Sequence, residues 1–206
     1  MDVAKPYRAI SPTIDTALLV ALAGSHEARS GRELARGIER SRTGVQHVLN
    51  RLVDEGLVER RVAGQAFLYS FNYDHLLASA VQEMAGARVE LVRRLRELVE
   101  VWEVQPSHLS LFGSAARGDG DTKSDIDLFL VRPSGVDEEN ETWRLQVEHL
   151  ADSVHTWTGN AAGIVELPKE KMAALRRRRP PVLRELTTDA IDIAGIPIRK
   201  LLGKGK

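Results

Sequence analysis

Two aspartates separated by one residue stand in the segment Ser124-Asp125-Ile126-Asp127-Leu128-Phe129-Leu130-Val131. In an extended strand Asp125 and Asp127 project from one face, while Ile126, Leu128 and Leu130 point to the other, into a core. Carboxylates held side by side repel. Sharing one or two Mg²⁺ or Mn²⁺ ions relieves the repulsion, and such ions also bind phosphates and lower the barrier to in-line displacement at phosphorus. Upstream lies Gly113-Ser114-Ala115-Ala116-Arg117-Gly118. Gly113 lets the backbone turn sharply and approach a ligand, and Ser114 opens a short helix whose free N–H groups and hydroxyl suit phosphate oxygens. One turn along, Arg117 can reach a phosphate or a carboxylate of the same site. The bland alternative, a surface turn with two solvated aspartates, requires the glycine-serine loop, the strand and the acid pair to coincide by chance.

These residues need elements to hold them. The apolar run at 108–112 reads as a strand leading straight into Gly113, and the acid pair opens a second strand. A helix is expected over 137–157, with Trp143, Val147, Leu150 and Val154 on its apolar face. Thr158-Gly159-Asn160 then turns into a strand, Ala162-Gly163-Ile164-Val165-Glu166-Leu167. The tail reads as a helix over 169–178, a break at Pro180-Pro181, a helix to about 188 and a strand over 190–194.

A Gly-Ser loop ahead of an Asp-x-Asp strand closely resembles the polymerase-beta-type nucleotidyltransferases, above all their minimal members and the aminoglycoside nucleotidyltransferases. Leu183-Arg184-Glu185-Leu186 followed by Asp189-Ala190-Ile191 looks like the tail of the minimal members. The resemblance implies a nucleoside triphosphate bound by Gly113 and Ser114, with Asp125 and Asp127 as catalytic metal ligands; Arg117 and Ser124 are expected to join the nucleotide site. The family adds a third carboxylate from a later strand, as metal ligand or as the base that activates an attacking hydroxyl. Glu166 is the candidate here. Glutamate departs from the more usual aspartate, and a longer side chain shifts its ligand atoms; the alternative is a strand residue facing solvent.

The first third of the chain has another pattern. Helices are expected over 11–22, where Ser11 and Pro12 suit a helix start, over 30–38, where Ser30 and Glu33 form a capping box, and over 41–56. Strands at 57–61 and 66–71, joined across Ala63-Gly64-Gln65, read as a hairpin. This order resembles the winged helix-turn-helix family of bacterial regulators, carried by Ser30-Gly31-Arg32-Glu33-Leu34-Ala35, Ser41-Arg42-Thr43-Gly44-Val45 and Leu52-Val53-Asp54-Glu55-Gly56-Leu57-Val58. In such folds the third helix enters the major groove of double-stranded DNA. Its outward residues here are Arg42, Thr43, Gln46, His47 and Asn50, of which Gln and Asn can pair with adenine and Arg and His can reach guanine or phosphate. A helical domain used for dimerisation or protein contacts is the alternative.

Between the two patterns runs a helical stretch with Leu77, Val81, Met84, Leu91, Leu95, Leu98 and Trp102 at helical spacing and Gly86 as a bend. It suits a linker helix, and its seam fits either a homodimer or packing on the chain's own second domain. The expected fold is α+β: a winged helix-turn-helix at 1–75, a linker helix at 76–104 and a small mixed-sheet nucleotidyltransferase domain at 105–206. The chain has no cysteine, so disulfides and thiolate metal sites are excluded. No stretch approaches the roughly 20 apolar residues that span a bilayer, and no signal-like segment opens the sequence, so a cytoplasmic protein is expected. Formal net charge is zero, but arginines outnumber acids over 29–61, and a basic run stands at 176–179.

Two functional readings follow. One is a DNA-binding transcriptional regulator whose nucleotidyltransferase domain moves a nucleoside monophosphate from a nucleoside triphosphate to a hydroxyl acceptor with Mg²⁺. The other is a regulator whose pocket senses nucleotide without turnover; a toxin–antitoxin component is a third.

Overall fold

Ser30 opens a helix by reciprocal capping: its hydroxyl accepts the Glu33 N–H, and the Glu33 carboxylate accepts the Ser30 N–H at 2.8 Å. The computed structural model, which describes residues 1–3, 5–120, 124–178 and 180–203, bears out the expected capping box. Lys123 of the motif and Arg179 of the basic run lie outside the described residues. The fold is α+β and divides after Ala87: Lys5–Ala87 form one unit, and the chain from Arg88 onward, with its first residues, forms the other.

The first unit contains α1 (Ile14–Ala23), β1 (Arg29–Ser30), α2 (Gly31–Gly37), α3 (Arg42–Asp54), β2 (Val58–Ala63), β3 (Ala66–Phe71) and α4 (Ala78–Ala85). Leu18, Leu22, Leu34, Val45, Leu49 and Tyr69 lie in its core. Helix α1 starts three residues later than Ser11 suggests. Ser11 precedes proline, which disfavours helical backbone, and its carbonyl accepts from the Thr16 hydroxyl instead. Ser41 caps α3 by accepting from Gly44 N–H. The hairpin β2–β3 closes at Gly64 (φ +62°), and β1 adds a short antiparallel third strand on β3. The stretch expected as one linker helix is two, because α4 ends at Gly86 and α5 (Ala87–Glu100) starts the second unit.

The second unit is built on a mixed sheet ordered β6-β5-β4-β7. Strands β4 (His108–Leu111), β5 (Ile126–Arg132) and β7 (Ile191–Gly195) run antiparallel to their neighbours, whereas β6 (Ala162–Pro168) pairs parallel with β5. That parallel pair needs a crossover, supplied by α7 (Glu141–Thr158), whose cap Asn140 accepts from Trp143 N–H at 2.9 Å. One face of β5, with Leu128 and Leu130, packs with α5 and α7 through Leu95, Val99, Trp143 and Val154. The other, with Phe129 and Val131, packs with α8 (Met172–Arg178), α9 (Val182–Thr188) and α10 (Ile198–Leu201) through Met172, Leu186 and Ile198. Asp127 is on this second face, and α6 (Gly113–Arg117) follows β4 directly beside it.

Candidate functional sites

Phe112 N–H donates to the Asp127 carbonyl at 2.9 Å, so the end of β4 is tied to the acid strand. Gly113 then takes φ +65°, and a Cβ built there would lie 2.2 Å from Asp127 Oδ2. Only glycine lets the backbone turn that closely past the carboxylate. Across the parallel pairing, Gly163 is the register partner of Asp127. A Cβ on Gly163 would meet Asp127 Oδ1 at 3.0 Å and Asp125 Cβ at 3.6 Å. Two glycines thus clear space on either side of Asp127, and Asp125 and Asp127 are brought together as strand spacing requires.

Ser114 and Ser124 are brought to the same place. A Cβ on Gly120 would be 3.0 Å from Ser114 Oγ and 3.7 Å from Ser124 Cβ. Asn160 Nδ2 donates to the Ser124 carbonyl at 2.6 Å, fixing the entry to the acid pair. Arg117 Nε donates to Asp119 at 3.0 Å, and its Nη1 lies 3.6 Å from Glu185 and 3.9 Å from Asp189. Burial raises the Asp127 carboxyl above the ordinary carboxylate range, and the charges of Asp125 and Glu185 push it the same way; Arg117 opposes them.

Glu166 is not brought to this site. In the parallel register Leu130 pairs with Glu166, so Glu166 shares the face of Leu128 and Leu130, opposite Asp127. Its carboxylate forms an ion pair with Arg132, at 2.9 Å from Nη1, and accepts from Trp143 Nε1 at 3.0 Å. The expectation that Glu166 joins the two aspartates is therefore corrected: strand alternation gives it a structural ion pair instead. Gly163, Val165 and Leu167 are the β6 positions on the Asp127 face, and none is acidic. Among the described residues no group of three or more His, Asp or Glu side chains is placed to hold a metal ion.

The donor set that remains fits one small hard cation. Two carboxylate oxygens leave the rest of an octahedral shell to water and phosphate, which is how Mg²⁺ is usually held. The glycine-cleared space around Asp127 and the repulsion between the two acids favour such an ion there.

In the first unit, Arg42, Thr43, Gln46, His47 and Asn50 all line one groove of about 940 Å³, closed on its other sides by the start of α2 and the tip of the hairpin. The structure thus brings together all five residues expected on the outward face of α3. Beside it, Arg32, Arg36, Arg40 and Arg42 surround a depression of about 450 Å³ with Glu39 as the acid among them. Sequence reasoning passed over Arg36 and Arg40 because nothing in their spacing separates a phosphate-facing arginine from a solvated one. It also passed over Gly163, Asn160, Glu185 and Tyr69. For Glu185 and Asp189 the available signal was two acids one helical turn apart.

The nucleotidyltransferase domain family matches residues 89–180, and the sugar-specific transcriptional regulator TrmB family matches residues 13–71. The chain joins a winged-helix regulator domain to a nucleotidyltransferase domain. Among solved structures, the nucleotidyltransferase-containing chain resembles one from the toxin–antitoxin MntA–HpeT, crystallised as a mutant, at 17% identity and TM-score 0.37, covering 54% of this chain and 79% of that one. A MarR-family transcriptional regulator from Rhodococcus sp. RHA1 matches at 17% identity and TM-score 0.32, over 50% of this chain and 71% of the other. No curated protein matches it in sequence. No helix among the described residues is long and apolar enough to cross a membrane.

Proposed function

We propose that this protein is a DNA-binding transcriptional regulator whose nucleotidyltransferase domain binds a nucleoside triphosphate with Mg²⁺ and transfers the nucleoside monophosphate to a hydroxyl acceptor. The observation that carries the reading is the Asp125–Asp127 pair, set between Gly113, where a Cβ would collide with Asp127, and Gly163, where one would crowd it. Asp125 and Asp127 hold the ion, and Ser114, Ser124 and the backbone at Gly113 receive the phosphates. A bound Mg²⁺ supplies charge neutralisation at the reacting phosphorus and its leaving pyrophosphate. Arg117, at the end of α6, is a cation whose charge acts on Asp127 and that the phosphates would meet, and it pairs with Glu185 of α9 and with Asp189 just after it.

DNA binding is supported by the TrmB match together with the groove that gathers Arg42, Thr43, Gln46, His47 and Asn50. Residues of that chemistry on the third helix of a winged fold suit base edges and phosphates of the major groove.

One observation favours the second reading, a nucleotide sensor without turnover. With Gly163 beside Asp127 and Glu166 on the far face, strand β6 brings no third acid to the pair. Incubation with each radiolabelled nucleoside triphosphate and Mg²⁺ separates the two. Transfer of label or release of pyrophosphate by the wild type, lost in Asp125→Ala/Asp127→Ala, supports the transferase. Nucleotide binding that is lost in the same variant, without turnover by the wild type, supports the sensor. Identical behaviour of wild type and variant in binding and turnover refutes both.

A further inference from the structure

The recognition helix carries two amides that are not free to read DNA as isolated side chains do. Gln46 Nε2 donates to Asn50 Oδ1 at 3.0 Å and to the Tyr69 hydroxyl at 2.9 Å. An amide nitrogen has two hydrogens, so both are engaged. Tyr69 comes from β3, its ring lies in the core at 1% exposure, and it also lines the groove that Gln46 faces. Gly31, the first residue of α2, closes on the other end of the same amide: a Cβ there would meet Gln46 Oε1 at 3.3 Å and Tyr69 Cε2 at 3.7 Å. The Gln46 amide nitrogen is thus held by partners on α3 and β3, while Gly31 leaves only narrow room beside its oxygen.

We propose that Tyr69 is a positioning residue for base readout, fixing Gln46 as an acceptor with no donor to offer and leaving Asn50 as its complementary donor. This rests on the reading of α3 as the DNA-contacting helix. A free glutamine or asparagine recognises adenine with an acceptor and a donor at once. Gln46 held by Tyr69 and Asn50 keeps Oε1 alone, which pairs with the exocyclic amino group of adenine or cytosine and opposes the carbonyl edges of guanine and thymine. Asn50, its Oδ1 already accepting from Gln46, presents Nδ2 hydrogens to acceptor edges such as guanine O6 and N7 or thymine O4. The two side chains lie one helical turn apart, so they form a fixed acceptor–donor pair along the groove.

The consequence is a base position at which adenine and cytosine are accepted about equally, where an unrestrained glutamine would favour adenine. The test selects sites from a randomised double-stranded DNA library with the full chain. Gln46→Ala identifies the base position that Gln46 reads, as the one whose preference disappears. Tyr69→Phe keeps the ring in the core and removes only the hydroxyl, which frees one Gln46 hydrogen. Adenine should then be enriched over cytosine at that position by on the order of tenfold, with other positions and the salt dependence unchanged. Asn50→Ala, at an exposed position, frees the other hydrogen and should shift the same position toward adenine while losing preference at its own.

An unchanged adenine-to-cytosine ratio in both variants overturns the inference and leaves DNA binding standing. Weakening by Tyr69→Phe that is equal at every position also overturns it, since that is what a merely structural tyrosine gives. If the wild type enriches no sequence, the reading of α3 fails and the inference with it.

Discussion

Replacing Glu166 by alanine tests whether that acid belongs to the fold or to the site. The side chain of Arg132 is 7% exposed, and Glu166 pairs with its charge at 2.9 Å from Nη1. The next acid, Glu138, is 3.6 Å away and 80% exposed, so it is a poor substitute. Breaking a buried pair from one side costs about 3–5 kcal/mol, and the partial exposure of Glu166 reduces this to about 2–3 kcal/mol. The Trp143 indole N–H, in a side chain 1% exposed, loses its acceptor as well and adds about 1 kcal/mol. The sum, about 3–4 kcal/mol, corresponds to a drop in Tm of roughly 10–15 °C for a unit of this size. Trp102, Trp143 and Trp157 are the chain's three tryptophans and all belong to the second unit, so tryptophan fluorescence during heating reports that unit. Below the transition, Mg²⁺-dependent nucleotide binding should equal that of wild type. Arg132→Met/Glu166→Leu should recover much of the stability, because removing both charges strands neither. An alanine variant that melts like wild type yet no longer binds Mg²⁺ and nucleotide would refute the assignment of Glu166 to the fold.

Asp127→Asn should raise Tm at neutral pH in the absence of metal, because the folded carboxyl is held above its ordinary range by burial and by Asp125 and Glu185. The sign follows from linkage: a raised carboxyl favours the folded state below its unfolded value, near 3.9, and that contribution is lost as pH rises through the folded value. The gain from Asp127→Asn should therefore vanish in acid, and added Mg²⁺ should stabilise the wild type alone. Gly113→Ala should cost at least about 1–2 kcal/mol from its left-handed backbone and should abolish Mg²⁺–nucleotide binding, as the new methyl displaces the Asp127 carboxylate; calorimetry reads both. Arg36→Ala/Arg40→Ala should weaken DNA binding evenly across sequences and lower the slope of log affinity against log salt by about 2, measured by fluorescence anisotropy.

Much of this architecture is legible in the sequence because it is local. Ser30 with Glu33, Ser41 before α3, and Gly64 in the hairpin act within a few residues, and the structure realises each of them. The Gly113-to-Asp127 stretch is legible for the same reason: strand alternation puts Asp125 and Asp127 on one side whatever surrounds them. Glu166 shows where local reasoning stops. Alternation along β6 says that Gly163 and Glu166 face opposite ways, but which of them faces Asp127 depends on the parallel register with β5, across an 18-residue helix. Gly86 was readable as a bend, while the division of its two flanking helices between separate units depends on packing partners far along the chain. The hold of Tyr69 on Gln46 spans 23 residues and two elements, with no pattern in sequence to announce it.

The most direct test of the account is equilibrium binding of a fluorescent nucleoside triphosphate, titrated with Mg²⁺, to the full chain and to three variants. Wild type and Glu166→Gln should bind in a Mg²⁺-dependent manner, with equal affinity, whereas Asp125→Asn and Asp127→Asn should each lose the Mg²⁺ dependence. Binding that persists unchanged in both aspartate variants, or that fails in Glu166→Gln while the variant stays folded, would contradict a site built on Asp125 and Asp127.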